Sequence, residues 1–367
     1  MWSIGAIDLN APAPERMGLL LVGLALGAAG LWGREVGLSA GLYAVAVGGV
    51  ERLQREILAN GSDVVRATRE AIEVVLAGGN PYTHFMLSTD PQGSPFVYPP
   101  GEVLFYLIPY QVTGTLERVE TWTGVLTVAA LAVAGARVGA GRSALVAMLY
   151  ATWGIAAFRT TDGGNDVSAG FLAVVGLVAL AFASLEGRRG RVAFAFSAVA
   201  LGWALAFKQF AVLLWPLVLR HLAVAGAPWR RYAAISGGVA VAIILPFFLW
   251  SPGAFLSAQV QALTFHEEVW GANLLNAIRP FADVTALAPL FFIVELVATA
   301  VLMAWAVGSR IPTIGAAALI GAGILCVPLL LARWTTQSYF VYVATLAAAG
   351  LLLVDERARR GSAIGSR

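Results

Sequence analysis

The sequence predicts an all-α protein, a polytopic bundle of membrane-spanning helices, and three observations lead there. Apolar residues make up 59% of the 367 residues and charged residues only 12%, where a soluble domain carries roughly a quarter charged. Mean hydropathy is +0.78. The apolar residues gather into about eleven runs, at 17–32, 36–50, 119–136, 143–158, 167–185, 192–207, 209–219, 232–250, 284–307, 312–331 and 338–354. Several are shorter than the ~20 residues a span needs, so neighbours can merge or one can be re-entrant. The first run follows no cationic segment and precedes no small-residue cleavage site, so it is read as a retained helix.

Charge placement orients these runs. Arginines at 137 and 142, 188–191, 220–231, 310 and 357–360 recur on alternate loops, which the positive-inside rule assigns to the cytoplasm. The tail 355–367 is then a basic cytoplasmic tail. The other loops carry Asp63, Asp90, Asp162, Asp166, Glu267 and Glu268 and are extracytoplasmic. A net charge of only +3, without a basic helix interleaved with aromatics, excludes a nucleic-acid partner. The single Cys326 lies in an apolar run, which excludes a disulfide framework and a thiolate metal cluster. Arginine used almost to the exclusion of lysine, with abundant Ala and Gly, points to a GC-rich bacterial genome and hence a bacterial cytoplasmic membrane.

One long polar segment, 62–101, interrupts this pattern within an extracytoplasmic loop spanning 51–118. Ser62 is a good N-cap. Val64, Val65, Ala71, Ile72, Val75 and Leu76 recur at helical spacing, with Arg66 and Glu70, and Arg69 and Glu73, as i,i+4 pairs on the other face. Gly78 and Gly79 end this amphipathic helix, and Asn80-Pro81-Tyr82 leads into a turn-rich loop. The run 103–112 contains Pro109 and is about two-thirds of a span. It is expected to dip into the interface without crossing; a true crossing would reverse the first two helices. The chain 1–367 reads as one integral membrane domain. It has no internal repeat, and the large early loop has no later counterpart, which weighs against a transporter built from two similar halves. Gly23 with Gly27, Gly37 with Gly41 and Gly135 with Gly139 allow close helix contacts.

The order Asp63, Gly79-Asn80-Pro81-Tyr82, Phe96-Val97-Tyr98-Pro99-Pro100 resembles the first external loop of the GT-C superfamily of glycosyltransferases. It looks most like the polyprenol-phosphate-mannose-dependent mannosyltransferases that include the phosphatidylinositol-mannoside alpha-1,2-mannosyltransferases. Gly164-Asn165-Asp166 resembles that family's Gly-Gln-x-Asn element without its glutamine. Leu205-Ala206-Phe207-Lys208 is similar to its membrane-lysine element, with Gln209 and Phe210 where a proline often follows. Trp270 to Asn276 resembles its late external loop. Each motif is short, and their order through most of the chain carries the resemblance. It implies a GT-C-like bundle that moves a sugar from a polyprenyl-phosphate donor to a hydroxyl of a lipid or glycan acceptor at the extracytoplasmic face. The first-loop carboxylate would be the general base. No cofactor beyond the lipid-phosphate sugar is implied, and the partners are donor, acceptor and membrane lipids. The alternative is a transporter or flippase for a lipid-linked glycan.

The residues themselves suit these roles. An acceptor hydroxyl must lose its proton as it attacks, and Asp63, near a helix N-terminus where the dipole favours negative charge, is placed to take it. The plain alternative is a favourable first-turn acid. Asp162, Asn165 and Asp166 are further pocket candidates in a setting that also makes an ordinary turn. Lys208, the only lysine, is flanked by apolar residues; it either holds the donor phosphate from within the membrane or snorkels at a helix end. Arg333 and Arg279, at external helix ends, are phosphate ligands or interfacial anchors. His84 and His266 can meet sugar hydroxyls or phosphate, with no spacing that suggests a metal. Tyr82, Tyr98 and Trp270 either stack on sugar faces or belong to the aromatic belt.

Overall fold

The computed structural model describes residues 14–58, 62–89, 92–184, 187–264 and 269–354, with the backbone alone at 14–20, 136–137 and 262–264. His266 and the tail 355–367 lie outside the described residues. The chain runs through α1 (Pro14–Ala29), α2 (Arg34–Leu53), α3 (Asp63–Leu76), α4 (Pro100–Thr113), α5 (Val119–Val133), α6 (Gly135–Val138), α7 (Ala140–Thr152), α8 (Gly154–Phe158) and α9 (Asp166–Phe182). It continues through α10 (Gly187–Phe207), α11 (Ala211–Val224), α12 (Trp229–Trp250), α13 (Pro252–Thr264), α14 (Leu274–Ile278), α15 (Val284–Gly308), α16 (Ile314–Leu331) and α17 (Gln337–Leu353). Two dipeptide strands, β1 (Trp270–Gly271) and β2 (Trp334–Thr335), pair in parallel.

Each of the eleven apolar runs coincides with a helix, the run 143–158 being broken at Trp153 between α7 and α8. By length and composition α2, α10, α12, α15 and α16 can cross a membrane unaided, and α5, α9, α11 and α17 are shorter apolar helices. The protein is a polytopic helical membrane bundle. Its most enclosed element is α9, packed against α5, α10 and α17. Small residues let helices approach to backbone contact: a Cβ at Gly37 would come within 2.6 Å of the Gly141 nitrogen on α7, the close packing that membrane helices use in place of a hydrophobic driving force.

Buried charges secure the helix ends. Arg52, fully buried at the end of α2, donates to the carbonyls of Tyr150 and Ala151 at 3.3 and 2.9 Å, which satisfies the last turn of α7 where that helix breaks. Glu120, from the first turn of α5, accepts the backbone N–H groups of Val167 and Ser168, both at 3.1 Å. It thereby caps α9 with a carboxylate that the helix dipole favours.

The interhelical segments sort to two ends of the bundle. At one end, Leu58 bonds Thr161, Ser62 bonds Asp162 and Trp270 bonds Arg333 through the backbone. At the other, Arg142 donates to Leu351 and Arg220 to Ser309. The helix α4 belongs wholly to the first end. It begins against the last turn of α10, where a Cβ on Gly101 would stand 2.4 Å from the Ala206 oxygen. It finishes before Arg118, whose guanidinium donates to the Arg55 carbonyl just past α2. Its 14 residues therefore start and finish at one end of the bundle, and α4 does not cross.

Ser62 accepts from the Val64 N–H as the N-cap of α3, and Gly78, at φ 81°, closes the helix as the sequence suggests. Ala67, Thr68, Ala71 and Ile72 form the buried face. The expected i,i+4 ion pairs give way to longer-range partners. Arg69 pairs with Glu117, Glu73 accepts from Tyr110, and Glu70 accepts from His84, Leu87 and Ser88. Those contacts fix the loop geometry as well as the charge, which an exposed helical pair does not.

Candidate active site

The site assembles where α3, α4, the turn before α9 and the break between α10 and α11 meet. Lys208 stands in that break and is 5% exposed. Its ammonium donates to Asn165 Oδ1 at 2.6 Å and pairs with Asp166. The rings of Tyr339, Phe210 and Tyr98 surround it, with centroids at 4.9, 5.1 and 6.0 Å. A buried ammonium needs this much compensation, and aromatic faces supply part of it. Asn165 in turn donates to Glu102, in the first turn of α4, and Glu102 also meets the Thr68 hydroxyl at 2.6 Å. Glu102 is fully buried. Its depth follows from Gly101, which lets α4 lie on the α10 backbone while Trp203 donates to the Gly101 carbonyl at 3.0 Å.

Asp63, half-buried in the first turn of α3, faces the same region. Its charge and that of Asp166 both act on the hydroxyls of Tyr98 and Tyr339, the two rings that wall Lys208. Burial, then the neighbouring Tyr339, Glu102, Asp63 and Asp166, pushes the Tyr98 hydroxyl well above its ordinary value, so it stays a neutral donor. The start of α3 is held there by the 159–165 turn. Gly163, at φ +77°, lies against Val65 and the Ser62 carbonyl, a position that glycine alone fills without strain.

The remaining candidates divide. Asp162 is ion-paired to Arg159 and accepts from the Gly164 N–H; burial pushes its carboxyl up against the pull of Arg159. Arg159 also reaches Gln337 at 3.3 Å, so Asp162 serves as a clamp between the turn and α17. Tyr82 is buried edge-on against Phe96, Phe247 and Phe255. Its hydroxyl donates to the Tyr98 carbonyl at 2.7 Å, which commits it to positioning Tyr98. His84 lies 3.0 Å from Glu70 on an open groove of about 630 Å³ along the outer side of α3. There, against partial burial, donors from Ser88, Leu87 and His84 hold the Glu70 carboxyl below its usual value.

Trp270 and Arg333 lie on the late loop. Trp270 stacks on Trp334 with centroids 4.7 Å apart, and the Arg333 carbonyl accepts from Trp270 and from Asn273. Arg279 is exposed at the end of α14. Among the described residues no group of three or more His, Cys, Asp or Glu is placed to hold a metal ion.

Glu102, Thr68 and Tyr339 belong to the cluster without having stood out in the sequence. A glutamate directly after Pro-Pro-Gly reads as a first-turn acid, and only the crossing of α4 over α10 buries it.

Fold and site together define a helical membrane bundle with an enclosed, mixed-charge cluster at one end. The chain matches no known family description and no curated protein in sequence. Among solved structures it is similar to ArnT from Cupriavidus metallidurans bound to undecaprenyl phosphate, with a TM-score of 0.53 and 16% identity over 84% of this chain and 57% of that one. The apo state of ArnT gives 0.53 and 17% identity over 88% and 60%. The oligosaccharyltransferase of Archaeoglobus fulgidus in its apo form gives 0.53 and 14% identity over 90% and 52%. The chain spans about half to three-fifths of the length of these structures. At such identities the likeness establishes the fold alone, a polytopic helical membrane bundle.

Proposed function

We propose that the protein is a membrane glycosyltransferase that moves a sugar from a polyprenyl-phosphate donor to a hydroxyl of a lipid or glycan acceptor at the extracytoplasmic face. The observation that carries this reading is that Asp63 and Lys208 both neighbour the same two rings, Tyr98 and Tyr339. A carboxylate and a buried cation beside the same pair of rings suit the two ends of a displacement at an anomeric carbon. Asp63 accepts the acceptor's hydroxyl proton as the new C–O bond forms. The bond from the anomeric carbon to the phosphate oxygen breaks, and its electron pair leaves with the polyprenyl phosphate, whose growing charge Lys208 meets. A single displacement of this kind inverts the anomeric configuration. The leaving phosphate is a weak base and needs no general acid.

The fold shared with ArnT supports a polyprenyl-phosphate carrier, since undecaprenyl phosphate is what that protein binds. Mannose is the sugar favoured by the motif order around Asp63 and 96–100. Arg333 and Arg279, on the late loop, are further cations for a donor headgroup, and Trp270 stacks on Trp334 beside Arg333. The placement of Asp63, Asp162 and Asp166 away from the arginine-rich loops supports the extracytoplasmic assignment. The test is transfer from labelled polyprenyl-phosphoryl mannose to acceptor lipids by the purified chain. Covalent transfer that vanishes in Asp63→Asn supports the reading; movement of the labelled lipid across a bilayer without transfer would replace it with transport.

A further inference from the structure

Glu102 has no task in the displacement above, yet its hydrogen bonds close only if it holds a proton. The counting starts at Thr68, whose hydroxyl oxygen lies 2.7 Å from the Val64 carbonyl and 2.6 Å from Glu102 Oε1. A threonine hydroxyl has one hydrogen to donate. The Val64 carbonyl only accepts, so that hydrogen lies between Thr68 and Val64; two bare oxygens at hydrogen-bond distance repel. The hydrogen between Thr68 and Glu102 therefore comes from the carboxyl. From the other side, the Lys208 ammonium has only hydrogens to give and meets Asn165 Oδ1 at 2.6 Å. This turns the Asn165 amide nitrogen to Glu102 Oε2 and makes that oxygen an acceptor.

We propose that Glu102 is a positioning residue that stays protonated in the working site and completes a chain of hydrogen bonds pointing one way, from Lys208 through Asn165, Glu102 and Thr68 to the first turn of α3. The inference deepens the glycosyltransferase reading and rests on it where it concerns the donor phosphate. The chain ties the cation to the helix that carries Asp63. It also limits the negative charge of the site: the Lys208–Asp166 ion pair sums to zero, and an ionised Glu102 beside it would add to the Asp63 carboxylate in opposing an arriving phosphate.

The groups facing Glu102 fit this account. Besides Lys208 they are Glu120 from α5 and Tyr82, Tyr98 and Tyr106, with Asp166 behind Lys208. On α3, Arg69, Glu70 and Glu73 are bonded away to Glu117, the 84–88 loop and Tyr110. Glu120 accepts from the Val167 and Ser168 N–H groups and from the Ser168 and Tyr106 hydroxyls. In α4, outside the membrane-crossing helices, burial pushes the Glu102 carboxyl up to about 8, against Thr68, Lys208 and Asn165.

The test compares the purified full chain with Glu102→Gln and Glu102→Ala. Glutamine offers an N–H to Thr68 and a carbonyl to Asn165 without titrating. Binding of polyprenyl-phosphoryl mannose, a phosphodiester of constant charge, is followed from about pH 6 to about pH 10. The wild type is expected to lose affinity above pH about 8, at most about tenfold per pH unit for one ionising group. Glu102→Gln should stay within about twofold of wild type at neutral pH and lose this dependence, because its hydrogen bonds are preserved. Glu102→Ala should bind weakly throughout. Infrared spectroscopy supplies a readout that needs no donor. The wild type should give a protonated-carboxyl C=O band that titrates away over the same range and is missing in Glu102→Gln. An unchanged band in Glu102→Gln, or a neutral-pH binding loss in Glu102→Gln equal to that of Glu102→Ala, would overturn the proposal. The expected band with no phosphodiester binding would uphold the protonated chain and overturn the donor reading alone.

Discussion

Two polar regions share one end of the bundle and are built on opposite plans. Around Lys208 the side chains themselves are bonded to one another, Asp166, Asn165, Glu102 and Thr68 being buried and contiguous. On the late loop the backbone is what is fixed, by the β1–β2 pairing and by Asn273 on the Arg333 carbonyl. Trp270 is 49% exposed there and Arg279 is exposed as well. A cluster whose rotamers are locked by its neighbours holds charge in place before a substrate arrives, which is where electrostatic catalysis gains most. A loop with a fixed backbone and exposed side chains such as Trp270 and Arg279 presents its surface to solvent. In the proposed reading the chemistry falls to the first region and headgroup contact to the second.

Substitutions can break or sharpen that division. The largest loss is expected at Asp63→Asn, a fall in kcat of about 10²–10⁴-fold with donor KM unchanged, checked by steady-state transfer kinetics. Lys208→Ala follows, at about 10²–10³-fold in kcat/KM, with lowered thermal stability because Asp166 is left buried without its cation; Lys208→Arg should restore stability better than activity. Gly101→Ala places a Cβ 2.4 Å from the Ala206 oxygen. It should destabilise the fold by about 1–3 kcal/mol and lower activity by displacing Glu102, read together from the denaturation midpoint and the rate. Arg279→Ala, on the exposed side of the comparison, should raise donor KM by less than about tenfold. The smallest effect belongs to His84→Ala, with transfer unchanged within about twofold and a small stability loss, since its partner Glu70 keeps the donors from Leu87 and Ser88.

Much of the bundle is legible in the sequence because the bilayer imposes a length and a composition on each span, and hydropathy reads both. The helix from Asp63 and its glycine stop are equally local, set by Ser62, the apolar spacing and Gly78. Lys208 stands out as a lone lysine among apolar residues, but its partners do not, because Asn165 and Asp166 lie some 40 positions away and an Asp-Gly-Gly-Asn-Asp string has the composition of a plain turn. The surface pairs expected within α3 were overridden by Glu117, Tyr110 and the 84–88 loop, contacts that depend on how α4 returns to the bundle. Glu102 was invisible for the same reason: its burial is a property of the α4–α10 crossing and not of its neighbours in the chain.

The central claim, that one cluster supplies both the base and the phosphate cation, is tested most directly by a structure of the chain with a polyprenyl-phosphate sugar bound. The account predicts a phosphate oxygen within hydrogen-bond distance of Lys208 Nζ and the Asp63 carboxylate facing the anomeric carbon on the side away from the phosphate. A phosphate seated instead on Arg279 or Arg333, with Lys208 still enclosed by Asn165 and Asp166, would contradict it.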